Sequence, residues 1–231
     1  YDADAEVDDG SCEFESDCSG ECGGSAMEDC AGECGGSADE DACGECGGTE
    51  TDPENCIFSV TQTIDLNALM MNSISFNVVP DDTEVSSVLM DIDLLIASND
   101  VGQYFAPNFG VDLIGEMDLA KGYDIFLQGM DNQTLTVEGL PMEPDYSMTI
   151  NALQMNSVCF VPQECMDIEM IFSGLEDNIL IVSDDSGAYY VPGFGVNTMG
   201  EMCPGKGYKI FLQGMDDLDF QYPTSDGLAR V

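Results

Sequence analysis

The residues with the clearest capacity for chemistry lie in a short sequence motif, here called the phrase, that occurs three times between Asp17 and Gly48. The aspartate, the glutamate, the second cysteine and the closing Gly-Gly of the phrase recur every 12 residues. Carboxylates bind hard cations such as calcium, while cysteines form disulfides or bind zinc. No apolar side chain recurs in the phrase, so we expect cross-links and bound cations, rather than a hydrophobic core, to order it.

Eight of the 11 cysteines fall in the first 56 residues, which are too polar to build a core. An even set of cysteines in such a segment predicts a disulfide framework and an oxidising compartment. Sequential pairing is the simplest arrangement, and pairing within each phrase, such as Cys18–Cys22, is the rival. The sequential pairs are Cys12–Cys18, Cys22–Cys30, Cys34–Cys43 and Cys46–Cys56. Thiolate zinc sites are a further alternative, which the many carboxylates disfavour because they suit oxygen-seeking cations.

The carboxylates of the same segment predict Ca2+ binding, with help from backbone carbonyls. The candidate ligands are Asp2, Asp4, Glu6, Asp8, Asp17, Glu21, Asp29, Glu33, Asp41 and Glu45. Solvated disorder is the alternative for so acidic a run, and the regular cysteines argue against it.

The Asp-Cys-x-Gly-x-Cys-Gly-Gly phrase resembles the acidic repeats of large secreted proteins from marine bacteria, and is loosely similar to thrombospondin type-3 calcium repeats. The opening stretch Tyr1–Cys12 resembles a unit that precedes such repeats. This resemblance covers about a quarter of the chain and implies calcium and secretion. The strict Asp-x-Asp-x-Asp-Gly core of the thrombospondin repeats is absent here.

The charge balance is extreme, with 46 acidic against 4 basic residues and a formal net charge of −42. Affinity for nucleic acid or an anionic membrane rests on Lys and Arg, so we expect no nucleic-acid partner and no membrane insertion. A solvated halophilic surface is the alternative explanation of the charge. The chain has no His, and no signature selects a catalytic pair among its acids, so we expect no enzymatic activity.

Residues 57–231 contain two copies of one sequence module. Lys-Gly-Tyr occurs at 121–123 and 206–208, and Phe-Leu-Gln-Gly-Met-Asp at 126–131 and 211–216, an offset of 85 residues. Met-Asn-Ser occurs earlier, at 71–73 and 155–157, an offset of 84. We therefore predict three domains: an acidic, Cys- and Gly-rich repeat segment at 1–56, and β modules at 57–143 and 144–231. This tandem module resembles modules of the same secreted bacterial proteins.

Short alternating apolar runs in each copy predict β-strands, and the turns Asn99–Gly102 and Asp184–Gly187 predict hairpins. One short helix per copy is expected at Asp82–Met90, capped by Asp82 or Thr83, and at Asp167–Phe172. The predicted fold class is mainly β. It is an extended repeat segment stabilised by disulfides and calcium, followed by two tandem small β-sheet or barrel modules.

Some expectations concern single side chains of the modules. Among Cys159, Cys165 and Cys203, one pair, Cys165–Cys203 or Cys159–Cys203, leaves a thiol that is buried or cross-linked to another chain. We expect turn roles, with calcium binding as the alternative, for the carboxylates Asp100, Asp184 and Asp185. We expect local charge partners for Lys121 and Lys206. We expect core packing, with an aromatic surface as the alternative, for Phe105, Phe109, Tyr189, Tyr190 and Phe194.

The function that these patterns favour is an extracellular structural or adhesive segment of a longer protein, secreted or at the cell surface. We expect self-association into a homopolymer, fibre or surface layer, with cell-surface or matrix components as further candidate partners. A calcium-dependent carbohydrate- or receptor-binding module is the alternative.

Overall fold

A computed structural model describes residues 17–21, 23–52, 56, 58–143 and 145–223. The chain divides into two compact units, residues 1–57 and 58–231. Some of the predicted ligands and disulfide cysteines lie outside the described residues, namely Asp2, Asp4, Glu6, Asp8, Cys12 and Cys22.

The first unit consists of loops and has no buried side chain among its described residues. Two isolated antiparallel bridges recur in it one repeat apart, Glu28↔Cys34 and Glu40↔Cys46. The absence of a core in this described part agrees with the polar composition of the repeats.

The second unit is mainly β, as predicted, and each copy of the repeated sequence forms its own antiparallel strands. The first copy contains β1 (Val60–Leu66), β2 (Met71–Ile74), β3 (Val78–Val79), β4 (Leu94–Ser98), β5 (Tyr104–Ala106), β6 (Val111–Asp112), β7 (Tyr123–Leu127) and β8 (Gln133–Pro141). The second copy contains β9 (Ser147–Ile150), β10 (Met155–Val158), β11 (Met166–Asp167), β12 (Ile179–Ser183), β13 (Tyr189–Val191), β14 (Val196–Asn197), β15 (Glu201–Met202), β16 (Tyr208–Leu212) and β17 (Leu218–Gln221).

Each copy is organised around a five-stranded sheet. The strand order is β2-β7-β4-β5-β6 in the first copy and β10-β16-β12-β13-β14 in the second. Smaller sheets complete the copies, β1-β8-β3 in the first and β17-β9 and β11-β15 in the second. The predicted hairpins are confirmed as β4-β5 and β12-β13.

The central strands bury alternate side chains, because successive residues of a strand point to opposite faces of the sheet. Strand β7 buries its first, third and fifth residues, and β16 buries the equivalent three. The buried side chains form two hydrophobic cores, one per copy, and the partly buried Leu119 packs against both.

Both predicted helices are single turns, α1 (Val85–Val88) and α2 (Ile168–Ile171). Asp167 caps α2 by accepting hydrogen bonds from two backbone N–H groups of its first turn. The cap predicted for α1 at Asp82 or Thr83 is wrong, because α1 begins only after Glu84. Glu84 is extended and forms an antiparallel bridge with Glu116, so the helix cannot start earlier.

The aromatic residues split into two groups. Phe105 and Tyr190 are buried, as expected, whereas the expectation of core packing is wrong for Phe109 and Phe194. Each of these two ends a 3-10 turn that starts at a proline (Pro107–Phe109 and Pro192–Phe194), and its side chain is exposed. Tyr189 is exposed as well, so the expectation of core packing is also wrong for it.

Candidate functional site: a disulfide ladder and a module interface

The cysteines of the first unit connect consecutive repeats. Cys18 of the first phrase bonds Cys34 of the second, and Cys30 of the second bonds Cys46 of the third, each with a sequence separation of 16. Cys43 closes the series on Cys56. We call these three bridges the disulfide ladder.

Sequential pairing is therefore wrong for the described cysteines, and pairing of Cys18 within its own phrase is wrong as well. Thiolate zinc is excluded for the six bonded sulfurs. The physical reason lies in the aspartate of each phrase, which already closes its own unit through hydrogen bonds. The sulfurs are thus left to link one unit to the next.

This closure is clearest at Asp29. Its Oδ1 accepts hydrogen bonds from the backbone N–H groups of Ala31 (3.0 Å) and Glu33 (2.9 Å), and its Oδ2 accepts one from Ala38 (3.0 Å). The backbone hydrogen bonds from Ala38 and Glu33 lower the pKa of the Asp29 carboxyl. Asp17 and Asp41 accept the equivalent three bonds in their own phrases.

The second glycine of each Gly-Gly is required by this arrangement. A β-carbon at Gly36 would overlap Oδ2 of Asp29, and Gly24 and Gly48 face their own aspartates in the same way. The repeated glycines therefore leave room for the carboxylate that folds each loop.

The predicted calcium ligands are not gathered into a common centre in the described repeats. Glu21, Glu33 and Glu45 are exposed, and no three carboxylates of this part lie within 4.8 Å of one another. In the described part of the chain, the one group of three potential ligands is Cys165, Glu201 and Cys203. The two sulfurs of that group are bonded to each other, so they are not free to bind a metal.

The odd cysteine is resolved as well. Cys165–Cys203 is the disulfide of the second module, and Cys159 is a free, buried thiol. Burial raises the pKa of the Cys159 thiol to about 12, so it stays protonated and unreactive near neutral pH. A cross-link from this thiol to another chain would require the core to open.

The two modules meet through backbone contacts that occur in pairs related by the repeat. Gly207 N–H donates to Ser73 O (2.8 Å), and Gly122 N–H donates to Ser157 O (3.1 Å). A β-carbon would lie 2.7 Å from Ile74 O at Gly207 and 2.8 Å from Ser157 Oγ at Gly122. Both glycines thus permit close approach, and the arrangement is that of a two-fold dimer made within one chain.

The hairpin carboxylates reach across this module interface. Asp185 Oδ2 accepts a hydrogen bond from Ser73 N–H (2.9 Å), and Asp100 Oδ2 accepts one from Ser157 N–H (3.2 Å). The hairpin turns are held instead by the preceding residues, Asn99 and Asp184. The turn role is therefore confirmed for Asp184, whereas Asp100 and Asp185 join the modules.

Two ion pairs lie at the same interface. Lys121 Nζ lies 3.2 Å from Asp100 Oδ2, which confirms a local charge partner for this lysine. Lys209 Nζ lies 2.7 Å from Asp124 Oδ2. Residues 124 and 209 occupy equivalent positions of the two copies, so the copies have diverged there into complementary charges. A dimer of two first copies, or of two second copies, would place like charges next to each other.

A buried serine completes the interface. Ser75 Oγ donates a hydrogen bond to Lys206 O (2.6 Å) and accepts one from Phe160 N–H (3.0 Å). Its equivalent in the second copy is Cys159. The sequence contained a signal for these contacts, because Ser73 and Ser157, Asp100 and Asp185, and Gly122 and Gly207 are related by the repeat offset.

Comparisons with known protein families, with curated proteins and with solved structures find no match. Among the described residues, none of the helices is long and apolar enough to cross a membrane. The disulfides fit a protein that folds in an oxidising compartment.

Proposed function

We propose that this chain is an extracellular structural or adhesive segment of a longer secreted protein. The observation that carries the proposal is the disulfide ladder, which joins consecutive repeats in a segment whose described residues bury no side chain. Cross-links stabilise such a segment mainly by limiting the conformations of its unfolded chain. A cross-linked repeat without a core suits a spacer that resists proteolysis and extension.

The paired modules support the adhesive part of the proposal. Their interface contains backbone hydrogen bonds, carboxylate contacts and ion pairs, which together fix one module relative to the other. A fixed pair presents its two outer surfaces in a constant geometry, which favours simultaneous attachment at both.

Calcium is part of the proposal. Residues 1–56 hold neither Lys nor Arg, so cations must offset the repulsion among their carboxylates. Calcium takes six to eight oxygen ligands. An ion at the described repeats would therefore combine a carboxylate with backbone carbonyls and water. Calcium between acidic surfaces would also allow the chain to assemble into a fibre or a surface layer.

Electron microscopy of the native material, with and without a calcium chelator, tests the proposal. We expect polymers or layers that disperse when calcium is removed and return when calcium, but not an equal ionic strength of sodium, is restored. Dispersed particles under every condition would contradict the assembly.

Limited proteolysis separates the roles of calcium and the disulfides. We expect chelation to speed cleavage within residues 17–56, reduction to speed it further, and the modules to survive chelation intact. Cleavage that is equally slow with and without chelator would exclude calcium from the repeats.

A further inference from the structure

Among the large apolar side chains that are identical in the two copies, three pairs are more than two-thirds exposed. The exposed fractions are 68% and 68% for Leu69 and Leu153, 73% and 80% for Phe109 and Phe194, and 82% and 83% for Met130 and Met215. Two further identical pairs are less exposed, Met71 and Met155 at 44% each, and Tyr104 and Tyr189 at 37% and 41%. Some other exposed apolar residues differ between the copies. Val101 and Leu113 of the first copy are replaced by Ser186 and Thr198 in the second.

The leucines are retained at a strained backbone position. Leu69 has φ 62° and Leu153 has φ 61°, and these are the positive-φ residues other than glycine in the described chain. The left-handed region is unfavourable for a bulky residue, and Gly or Asn would occupy it more easily. An exposed leucine in this conformation contributes little to folding, so its presence in both copies points to another role.

In the first copy, the three side chains stand on loops at the same end of the module. The loop of Leu69 is joined to the loop of Met130 by a hydrogen bond from Ala68 N–H to Asn132 Oδ1 (2.9 Å). The turn of Phe109 is joined to the start of β4 by a hydrogen bond from the Asn108 side chain to Leu94 O (3.3 Å).

The second copy repeats this placement. Ala152 N–H donates to Asp217 Oδ1 (2.8 Å), which joins the loops of Leu153 and Met215. Gly193, which precedes Phe194, faces the side chain of Gln213. We call the two groups the distal apolar sites, Leu69, Phe109 and Met130 in the first copy and Leu153, Phe194 and Met215 in the second.

The strand register places each distal apolar site away from the module interface. Strand β7 ends at Leu127, which pairs with Leu94 at the beginning of β4. The opposite end of the same sheet, where Ile74 pairs with Tyr123, contacts the second module. Within its own five-stranded sheet, the site of the first copy therefore lies at the strand ends opposite to those that contact the second module.

Charge distinguishes the two ends of each module. The three described lysines, Lys121, Lys206 and Lys209, all lie at the module interface. Carboxylates border the distal sites, because an aspartate follows each exposed methionine at positions 131 and 216. Unless calcium offsets its net charge of −42, a second copy of this chain would be repelled from such a site.

We propose that each distal apolar site docks a segment of a partner protein in which apolar residues are flanked by Lys or Arg. The apolar side chains supply the buried contact, and the surrounding carboxylates select a basic partner. Two identical sites on one fixed pair let the chain bridge two partner molecules. The proposal rests on the adhesive role proposed above and names the chemistry of what is bound.

The test uses the full chain with 13C-labelled methionine methyl groups and three synthetic peptides. The first has a Leu-Phe-Leu core with two lysines on each side, the second has the same core with glutamates, and the third has lysines around a Ser-Gly-Ser core. We expect only the first peptide to shift the methyl signals of Met130 and Met215.

Variants then locate the binding. The double variant L69N/L153N should weaken binding of the first peptide by about tenfold or more. The matched control V101S removes an equally exposed apolar side chain and introduces the residue already present in the second copy, so binding should be unchanged. Asparagine tolerates positive φ, so the double variant should remain folded.

Several results would overturn the proposal. These are no shift with any peptide, equal shifts with the first and third peptides, or equal weakening by V101S. Methyl shifts that depend on the concentration of the chain alone would assign the sites to self-association instead. Failure here together with calcium-dependent polymers in the microscope would remove the basic partner and leave the structural role intact.

Discussion

Replacing Ser75 by alanine tests whether the two modules are docked in solution as described. Ser75 is fully buried, and its hydroxyl donates a hydrogen bond to Lys206 O and accepts one from Phe160 N–H. The substitution removes a hydrogen bond that contributes about 0.5–1.5 kcal/mol and leaves a buried amide unpaired at about 1–3 kcal/mol. We therefore expect S75A to lower the free energy of unfolding of the second unit by about 1.5–4.5 kcal/mol.

The assay is urea unfolding followed by circular dichroism, because the chain has no tryptophan to report by fluorescence. The midpoint should fall without a change in the slope of the free energy against urea concentration. The matched control is S173A at an exposed position, where a change within about 0.5 kcal/mol is expected. A loss below about 0.5 kcal/mol for S75A would refute the buried contact between the modules.

Three further predictions concern charge, backbone strain and pH. K209D places a second carboxylate beside Asp124 and should lower the free energy of unfolding by about 1–2 kcal/mol, and adding D124K should restore most of it. L69N should raise the free energy of unfolding by roughly 0.5–1 kcal/mol, because it relieves a left-handed leucine. The lowered pKa of Asp29 means that its stabilising contribution is complete above 3.8 and is lost as the pH falls below that value. Amide signals of Ala38 and Glu33 should therefore report opening of the repeat in acid.

Each of these has a control. The charge swap would be contradicted if the double variant were no more stable than K209D. The strain argument fails if L69N lowers the free energy of unfolding and L69A does not. L69A keeps a β-carbon but lacks the side-chain amide of asparagine. For the repeats, D29A, which removes both acceptor oxygens, should show the open amide signals already at neutral pH, and a closed repeat in that variant would refute the role of the carboxylate.

The strands and hairpins could be predicted because their signals are local. The strand predicted at Tyr123–Leu127 is β7, and the turn around Asn99 and Gly102 predicted the β4-β5 hairpin. The alternation of Ile74, Phe76 and Val78 predicted one strand, whereas the structure ends β2 at Ile74 and starts β3 at Val78. The start of α1 could not be predicted, because a bridge between Glu84 and the distant Glu116 decides it. Local capping preference was overridden there by pairing between segments far apart in sequence.

The disulfide pattern could not be predicted from spacing alone, although the cross-linked nature of the repeats could. The disulfide pairing depends on how Asp29 and its equivalents fold each loop. The three hydrogen bonds that one carboxylate accepts there cannot be recognised from the amino-acid composition. The contacts of Asp100 and Asp185 were missed for a related reason. Side chains in a turn usually accept hydrogen bonds from their own turn. Here Asp100 and Asp185 accept hydrogen bonds from the other module instead.

Disulfide mapping of the native, unreduced protein tests the central claim most directly. Thiols are blocked before digestion at Met27 and at acidic residues, and the linked peptides are identified by mass spectrometry. The account predicts Cys18–Cys34, Cys30–Cys46 and Cys43–Cys56, with Cys159 blocked only after unfolding. Sequential pairs, or free thiols in the repeats, would contradict it.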